Sequence, residues 1–165
     1  MPKILVLFAG PHSNVADAIA DGARAVRFSE VELRRVASGA PGDASLPGGA
    51  RELAGVEELI PYDAIVMAST TERGDLDDAC RRLLDEAAVA IPRAALQHKV
   101  GSAFPSHIDA ASASVWPALG ALGDVGMLIV APAGADLDAA TGLGGRVAQV
   151  AAWIAHERSH HHHAH

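Results

Sequence analysis

Ile4-Leu5-Val6-Leu7-Phe8-Ala9 is a run without a single polar side chain, and residues 13–26 after it place Val15, Ala18, Ile19, Gly22 and Val26 at helical spacing. A strand this apolar has no face to give to water, which is the pattern of a central parallel strand covered on both sides. Ser13 or Asn14 stands where a helix cap belongs. A buried strand followed at once by an amphipathic helix is the opening unit of an α/β sheet.

The same alternation continues along the chain. Glu30-Val31-Glu32-Leu33-Arg34-Arg35-Val36 switches between polar and apolar, so the second strand is expected half exposed at a sheet edge. Residues 38–49, rich in Gly, Pro, Ala and Ser, are expected to form a surface loop. Asp63-Ala64-Ile65-Val66-Met67-Ala68 reads as the third strand and residues 76–90 as a helix, with Asp75, Asp77 and Asp78 near its positive end. Residues 99–104 make a fourth strand, and residues 109–122 a helical region that Pro117 divides. Residues 127–131 make a fifth strand and residues 145–156 a closing helix. The expected fold is a flavodoxin-like three-layer α/β sandwich with a five-stranded parallel sheet in the order 2-1-3-4-5. Its ligand site falls where strand order reverses, at the carboxyl ends of the first, third and fourth strands.

Length and composition narrow the function. With 165 residues the chain fits one domain, expected over 1–157, followed by a His-rich tail or tag over 158–165. No apolar run reaches the ~20 residues that a membrane span needs, and the N-terminus lacks a secretory cleavage pattern, so the protein is expected to be cytoplasmic. The formal charge of -7 argues against nucleic acid as a partner. Cys80 is the one cysteine and shares a helical stripe with Leu76, Leu83, Leu84 and Ala87, so it is expected to be a buried thiol.

Tyr62-Asp63-Ala64-Ile65-Val66, then Ser69-Thr70-Thr71-Glu72-Arg73-Gly74-Asp75, then Leu83-Leu84-Asp85 resembles the central segment of the WrbA-type NAD(P)H:quinone oxidoreductases, within the NADPH-dependent FMN reductase superfamily. That family reads YDAI, a strand, T-P-T-R-F-G-N, and a helix ending near F-L-D. Residues 3–7 and 126–130 extend the likeness over essentially the whole chain. The resemblance implies FMN as cofactor, NADH or NADPH as co-substrate, a small-molecule electron acceptor such as a quinone, and a homo-oligomer, dimer or tetramer. It places the FMN phosphate on Gly10, His12, Ser13, Asn14 and Val15. It sets Ser69, Thr70, Thr71, Glu72, Arg73 and Gly74 beside the ring, with Ser102, Phe104, Pro105, Ser106 and His107 closing the far side. No side chain is implied as acid or base.

The loops depart from the family pattern. Gly10 stands for a serine, Ser13 for a glycine, Thr70 for a proline, Glu72 for an arginine and Arg73 for an aromatic residue. Asp124 and Val125 replace a histidine pair, and Pro11 removes one backbone N–H from the first loop. These changes leave a second expectation open, a flavodoxin-like domain without flavin that serves as a binding or assembly module.

Other residues carry bland readings beside sharper ones. His12 is either a phosphate donor or an exposed loop residue. Ser106, His107 and Asp109 lack the G-x-S-x-G context of a hydrolase, and His98 falls at the end of the sheet away from the expected site. Asp75, Asp77 and Asp78 suit a helix N-terminus better than a metal. Gly142-Leu143-Gly144-Gly145 reads as a flexible lead-in to the last helix, and Trp116 and Phe104 as core packing.

Overall fold

The computed structural model describes residues 1–10, 14–36, 51–71, 73–106 and 114–161. The roles expected of His12, Ser13, Glu72 and His107, the loop over 38–49 and the last residues of the tail lie outside them.

A six-stranded parallel sheet forms the middle layer, in the order β3-β2-β1-β4-β5-β6. Its strands are β1 (Lys3–Phe8), β2 (Glu30–Arg35), β3 (Arg51–Glu52), β4 (Ala64–Thr70), β5 (Val100–Pro105) and β6 (Leu128–Ile129). The helices are α1 (Asn14–Arg24), α2 (Asp78–Ala90), the single turn α3 (Arg93–Leu96), α4 (Trp116–Asp124) and α5 (Leu137–His161). The five expected strands occur in the expected relative order, with β3 as an addition.

β1 and β4 decide the layering, because both are buried on two faces. Leu5, Leu7, Ile65 and Met67 point to one side, where Cys80, Leu83, Leu84 and Ala87 of α2 meet Ala118, Leu119 and Leu122 of α4. Ile4, Val6, Phe8, Ala64, Val66 and Ala68 point to the other, against Val15, Ile19 and Ala23 of α1 and Leu143, Val147 and Ala151 of α5. Each large side chain buried this way contributes roughly 1.5–3 kcal/mol.

Four expectations need correction. β2 is not the outermost strand, since Arg34 and Arg35 pair with Arg51 and Glu52. Because β3 covers only that end, the rest of β2 keeps its alternation, with Val31 and Leu33 packed inward. The last strand shrinks to Leu128 and Ile129, because Ser102 Oγ takes the carbonyl of Val130 where backbone pairing would have continued. α5 begins at Leu137 and passes residue 157, and the glycines expected as a lead-in lie inside it. A Cβ on Gly144 would stand 1.9 Å from the carbonyl oxygen of Ile19, and one on Gly22 equally close to that of Thr141, so these glycines let α1 and α5 touch backbone to backbone. Trp116 is 69% exposed at the start of α4, whereas Phe104 is fully buried as expected.

The end of the sheet away from the expected site is closed by charge. The Lys99 ammonium, 7% exposed, donates to the carbonyls of Ile60 and Tyr62, and burial lowers its pKa from the ordinary lysine value. Arg158 donates to the carbonyl of His98, which holds a left-handed φ of 68° there.

Candidate functional site

Parallel pairing brings three strand ends to one rim. Leu7 pairs with Met67 and Met67 with Ala103, and beyond a bulge Thr70 pairs with Pro105. Gly10, Thr71 and Ser106 therefore leave the sheet from adjacent strands. Gly10 holds φ 75°, which suits glycine, and among the described residues nothing lies within 4 Å of where a Cβ would be. Asn14 is exposed at the first position of α1, and a helix N-terminus attracts anions.

The turn after β4 is built by its own hydrogen bonds. The Thr71 amide donates to Asp75 O at 2.7 Å, and the Gly74 amide to Thr71 O at 2.9 Å. Gly74, at φ 82°, is wedged against Ser114, where a Cβ would lie 1.9 Å from the carbonyl oxygen. Its own carbonyl accepts from the Ala118 amide at 3.0 Å and so caps α4, which has no side-chain cap. Asp77 does the same for α2, accepting from the Cys80 amide at 2.9 Å through Oδ1. Its Oδ2 receives the hydroxyl of Ser69, and Ser69 Oγ in turn accepts from the Ala9 amide at 3.3 Å. One carboxylate thus joins the first loop, the end of β4 and the head of α2.

The expected site residues divide by this geometry. Gly10, Asn14, Thr70, Thr71, Arg73, Gly74 and Ser106 lie at the rim or on the turns leaving it. Val15 and Phe104 are packed in the core between the sheet and α1 and α5. Ser102 lies within β5, fully buried, and Pro105 is buried at its end. Ser69 is 2% exposed and fully engaged. Asp77 was readable only as a helix-cap acid, since the sequence gives no sign of its bond to Ser69. Arg81 was not foreseen at all.

Thr70 is the exception among the rim side chains. It is 6% exposed, yet its hydroxyl finds no hydrogen-bond partner among the described residues. Such a group costs roughly 1–3 kcal/mol if it stays unsatisfied, so an orphaned hydroxyl at a strand end is where a ligand atom would belong. Beside it Thr71, Arg73, Asp75, Leu76, Asp78 and Arg81 line an open hollow of about 580 Å³, within the range of small-molecule sites. Among the described lining residues are two guanidinium groups and two carboxylates, with Arg81 and Asp75 at 3.9 Å. The spare hydroxyl, the open space over Gly10 and the size of the hollow fit a phosphorylated, planar cofactor such as FMN. Among the described residues no group of three or more His, Cys, Asp or Glu could hold a metal ion, and no helix is long and apolar enough to cross a membrane.

No protein-family model matches the chain. Among solved structures, it is similar to a flavodoxin, WrbA-like protein from Agrobacterium tumefaciens, with a TM-score of 0.63, 20% identity, and coverage of 93% of this chain and 99% of that one. It is similar to FerB, a flavoenzyme NAD(P)H:(acceptor) oxidoreductase from Paracoccus denitrificans, with a TM-score of 0.63, 12% identity, and coverage of 94% and 98%. Two-electron reduced flavodoxin from Megasphaera elsdenii follows with a TM-score of 0.56, 17% identity, and coverage of 89% and 98%. These likenesses run nearly end to end in both partners, and they establish that the chain has the flavodoxin-like fold.

Proposed function

We propose that the chain is an FMN-binding oxidoreductase that takes reducing equivalents from NADH or NADPH and passes them to a small acceptor of the quinone type. The observation that carries the reading is the buried, unpartnered hydroxyl of Thr70 at the strand end beside the 580 Å³ hollow. Two flavin-named structures of the same fold, one an NAD(P)H:(acceptor) oxidoreductase, support it.

Gly10, His12, Ser13, Asn14 and Val15 would receive the phosphate, with the dipole of α1 adding attraction. Thr70, Thr71, Arg73 and Gly74 would flank the ring, with Glu72 from the same turn, and Ser106 and His107 would close the other side. Bound FMN supplies the hydride and electron transfer. The protein supplies position: Asp77 and Ser69 hold the first loop against the second, and Gly74 ties the second to α4. Thr70 would donate its proton to a flavin acceptor atom or accept from a ring N–H. Assembly into a dimer or tetramer belongs to the same reading, and sedimentation measures it.

The second reading, a flavin-free binding or assembly module, draws on the amides of Ala9, Thr71 and Gly74, all spent within the protein. Titration of the folded protein with FMN separates the two. The oxidoreductase reading expects saturable quenching of flavin fluorescence at one FMN per chain, weaker binding of riboflavin, and NADH or NADPH oxidation once a quinone is added. Folded protein that leaves FMN fluorescence untouched at millimolar concentration overturns it in favour of the module.

A further inference from the structure

Trp116 is a large apolar side chain placed where it does the core no good. It occupies the first turn of α4 with 69% of its surface exposed, at the same rim as Gly10 and Thr70. Across from it the segment after β6 runs through Ala131, Pro132 and Ala133. The two sides enclose a groove of about 190 Å³ whose described lining has no charged side chain, although the chain as a whole carries a formal charge of -7.

Both walls are held before any ligand arrives. The near wall is fixed by the Ala118 amide on Gly74 O at 3.0 Å, and by Leu119, which is 3% exposed and anchored in the core. The far wall is pinned by Arg146, whose guanidinium donates to Ala131 O at 2.6 Å. Asp136 completes it by accepting from the Ala139 amide at 2.7 Å at the head of α5. A groove already formed spares the ordering cost that weakens binding to mobile loops.

We propose that this groove is a binding site for a neutral aromatic molecule of one ring, or for one end of a fused pair. Size sets the ring number, since an apolar cavity of about 150 Å³ is known to hold benzene and the groove offers about 190 Å³. The described lining carries no charged side chain, and the Arg146 guanidinium behind it is turned to the carbonyl of Ala131, which favours a neutral ligand over one that must give up part of its hydration. The exposed indole of Trp116, on the groove's lining, supplies aromatic surface for a ring to pack against. The site needs no cofactor; on the FMN reading it is where the acceptor docks, beside the turn that Gly74 ties to α4.

The test uses the two tryptophans as internal reporters in the FMN-free protein. Their indole N–H signals are followed in ¹H–¹⁵N spectra, with Trp116→Phe assigning them, while tetramethyl-1,4-benzoquinone is added. A saturable shift of the Trp116 signal is expected, with Trp153 unmoved, and benzoate should need at least a tenfold higher concentration. Ala133→Glu, on an exposed lining position, should raise the quinone Kd at least tenfold with the thermal midpoint unchanged. No Trp116 shift up to the solubility limit, parallel shifts of both indoles, or an unaltered Kd in Ala133→Glu would each overturn the proposal. Because FMN is absent, failure here and failure of FMN binding are separate results.

Discussion

Gly144 of α5 lies so close to Ile19 of α1 that a methyl group on it would stand 1.9 Å from the Ile19 carbonyl oxygen and 2.9 Å from the Ala23 nitrogen. Backbone atoms cannot step aside as a flexible side chain would, so Gly144→Ala should force α1 and α5 apart. Overpacking of this kind costs about 1–3 kcal/mol, against a gain of up to about 1 kcal/mol from the better helix former. A net loss of about 1 kcal/mol, and no more than about 2 kcal/mol, is expected in urea denaturation. Gly142, two residues earlier in the same helix, is exposed with nothing within 4 Å of its Cβ position. Gly142→Ala should therefore stabilise by about 0.5–1 kcal/mol, and the opposite signs separate crossing geometry from helix propensity.

The same pair marks where sequence reasoning stops. β1 was legible because its apolar run specifies burial on two faces without reference to any partner. The glycines of α5 were not, because glycine reads as a helix breaker until the helix crossing it is known. Trp116 failed for a related reason, as aromatic residues in a chain poor in them are assumed to pack. At the rim, the strand ends followed from the order of elements. Which donors remain there did not, since the Ala9 amide and the Ser69 hydroxyl are consumed by Asp77 and its neighbours through tertiary contacts. β3 left no signal, being two residues long with two polar side chains.

Tyr62, the one tyrosine of the chain, donates its hydroxyl to Glu32 at 2.7 Å. Burial first, and then this bond, push its pKa up to about 12. The folded protein holds the phenolic proton more tightly than the unfolded chain, so the stabilisation is complete below the unfolded value of about 10 and is lost as pH rises towards 12. It amounts to no more than about 2 kcal/mol, since the half-exposed Glu32 leaves the bond partly screened by solvent. Tyrosinate absorbance should show a midpoint above 11 in the native protein and near 10 in concentrated urea. Glu32→Ala should bring the native midpoint partway down, the remainder being burial. A native midpoint unchanged by Glu32→Ala would mean that the bond to Glu32 does not form, and one near 10 that the phenol is not buried either.

Cys80 is fully buried on α2, and burial, with Asp77 adding to it, pushes the thiol pKa far up. A thiol with neither exposure nor thiolate character reacts only when the structure opens. Modification by an aromatic disulfide reagent at pH 8 should run at least about a thousandfold slower than for a free thiol, as expected for opening at several kcal/mol. Across a urea series the rate should rise in step with global unfolding. Fast labelling in native buffer would show that the head of α2, where Asp77 caps the Cys80 amide, opens on its own.

Thr70 sets stability against binding. Its hydroxyl is buried with no partner among the described residues, so Thr70→Val, which exchanges that hydroxyl for a methyl group, should stabilise the FMN-free protein by about 1 kcal/mol. On the proposed function the same change removes a hydrogen bond to the ligand and should weaken FMN about tenfold, or roughly 1.4 kcal/mol. Thr70→Ser keeps the hydroxyl and should keep FMN affinity within about threefold, since it loses only a methyl contact. Denaturation and FMN titration on the three proteins read both quantities. A gain in stability without loss of FMN affinity would place the hydroxyl against the protein rather than the ligand, and the proposed function would lose the observation that carries it. A rise in one quantity matched by a fall in the other is what a site held open for its cofactor should give, because the cost of an empty hydrogen-bonding position is recovered only on binding.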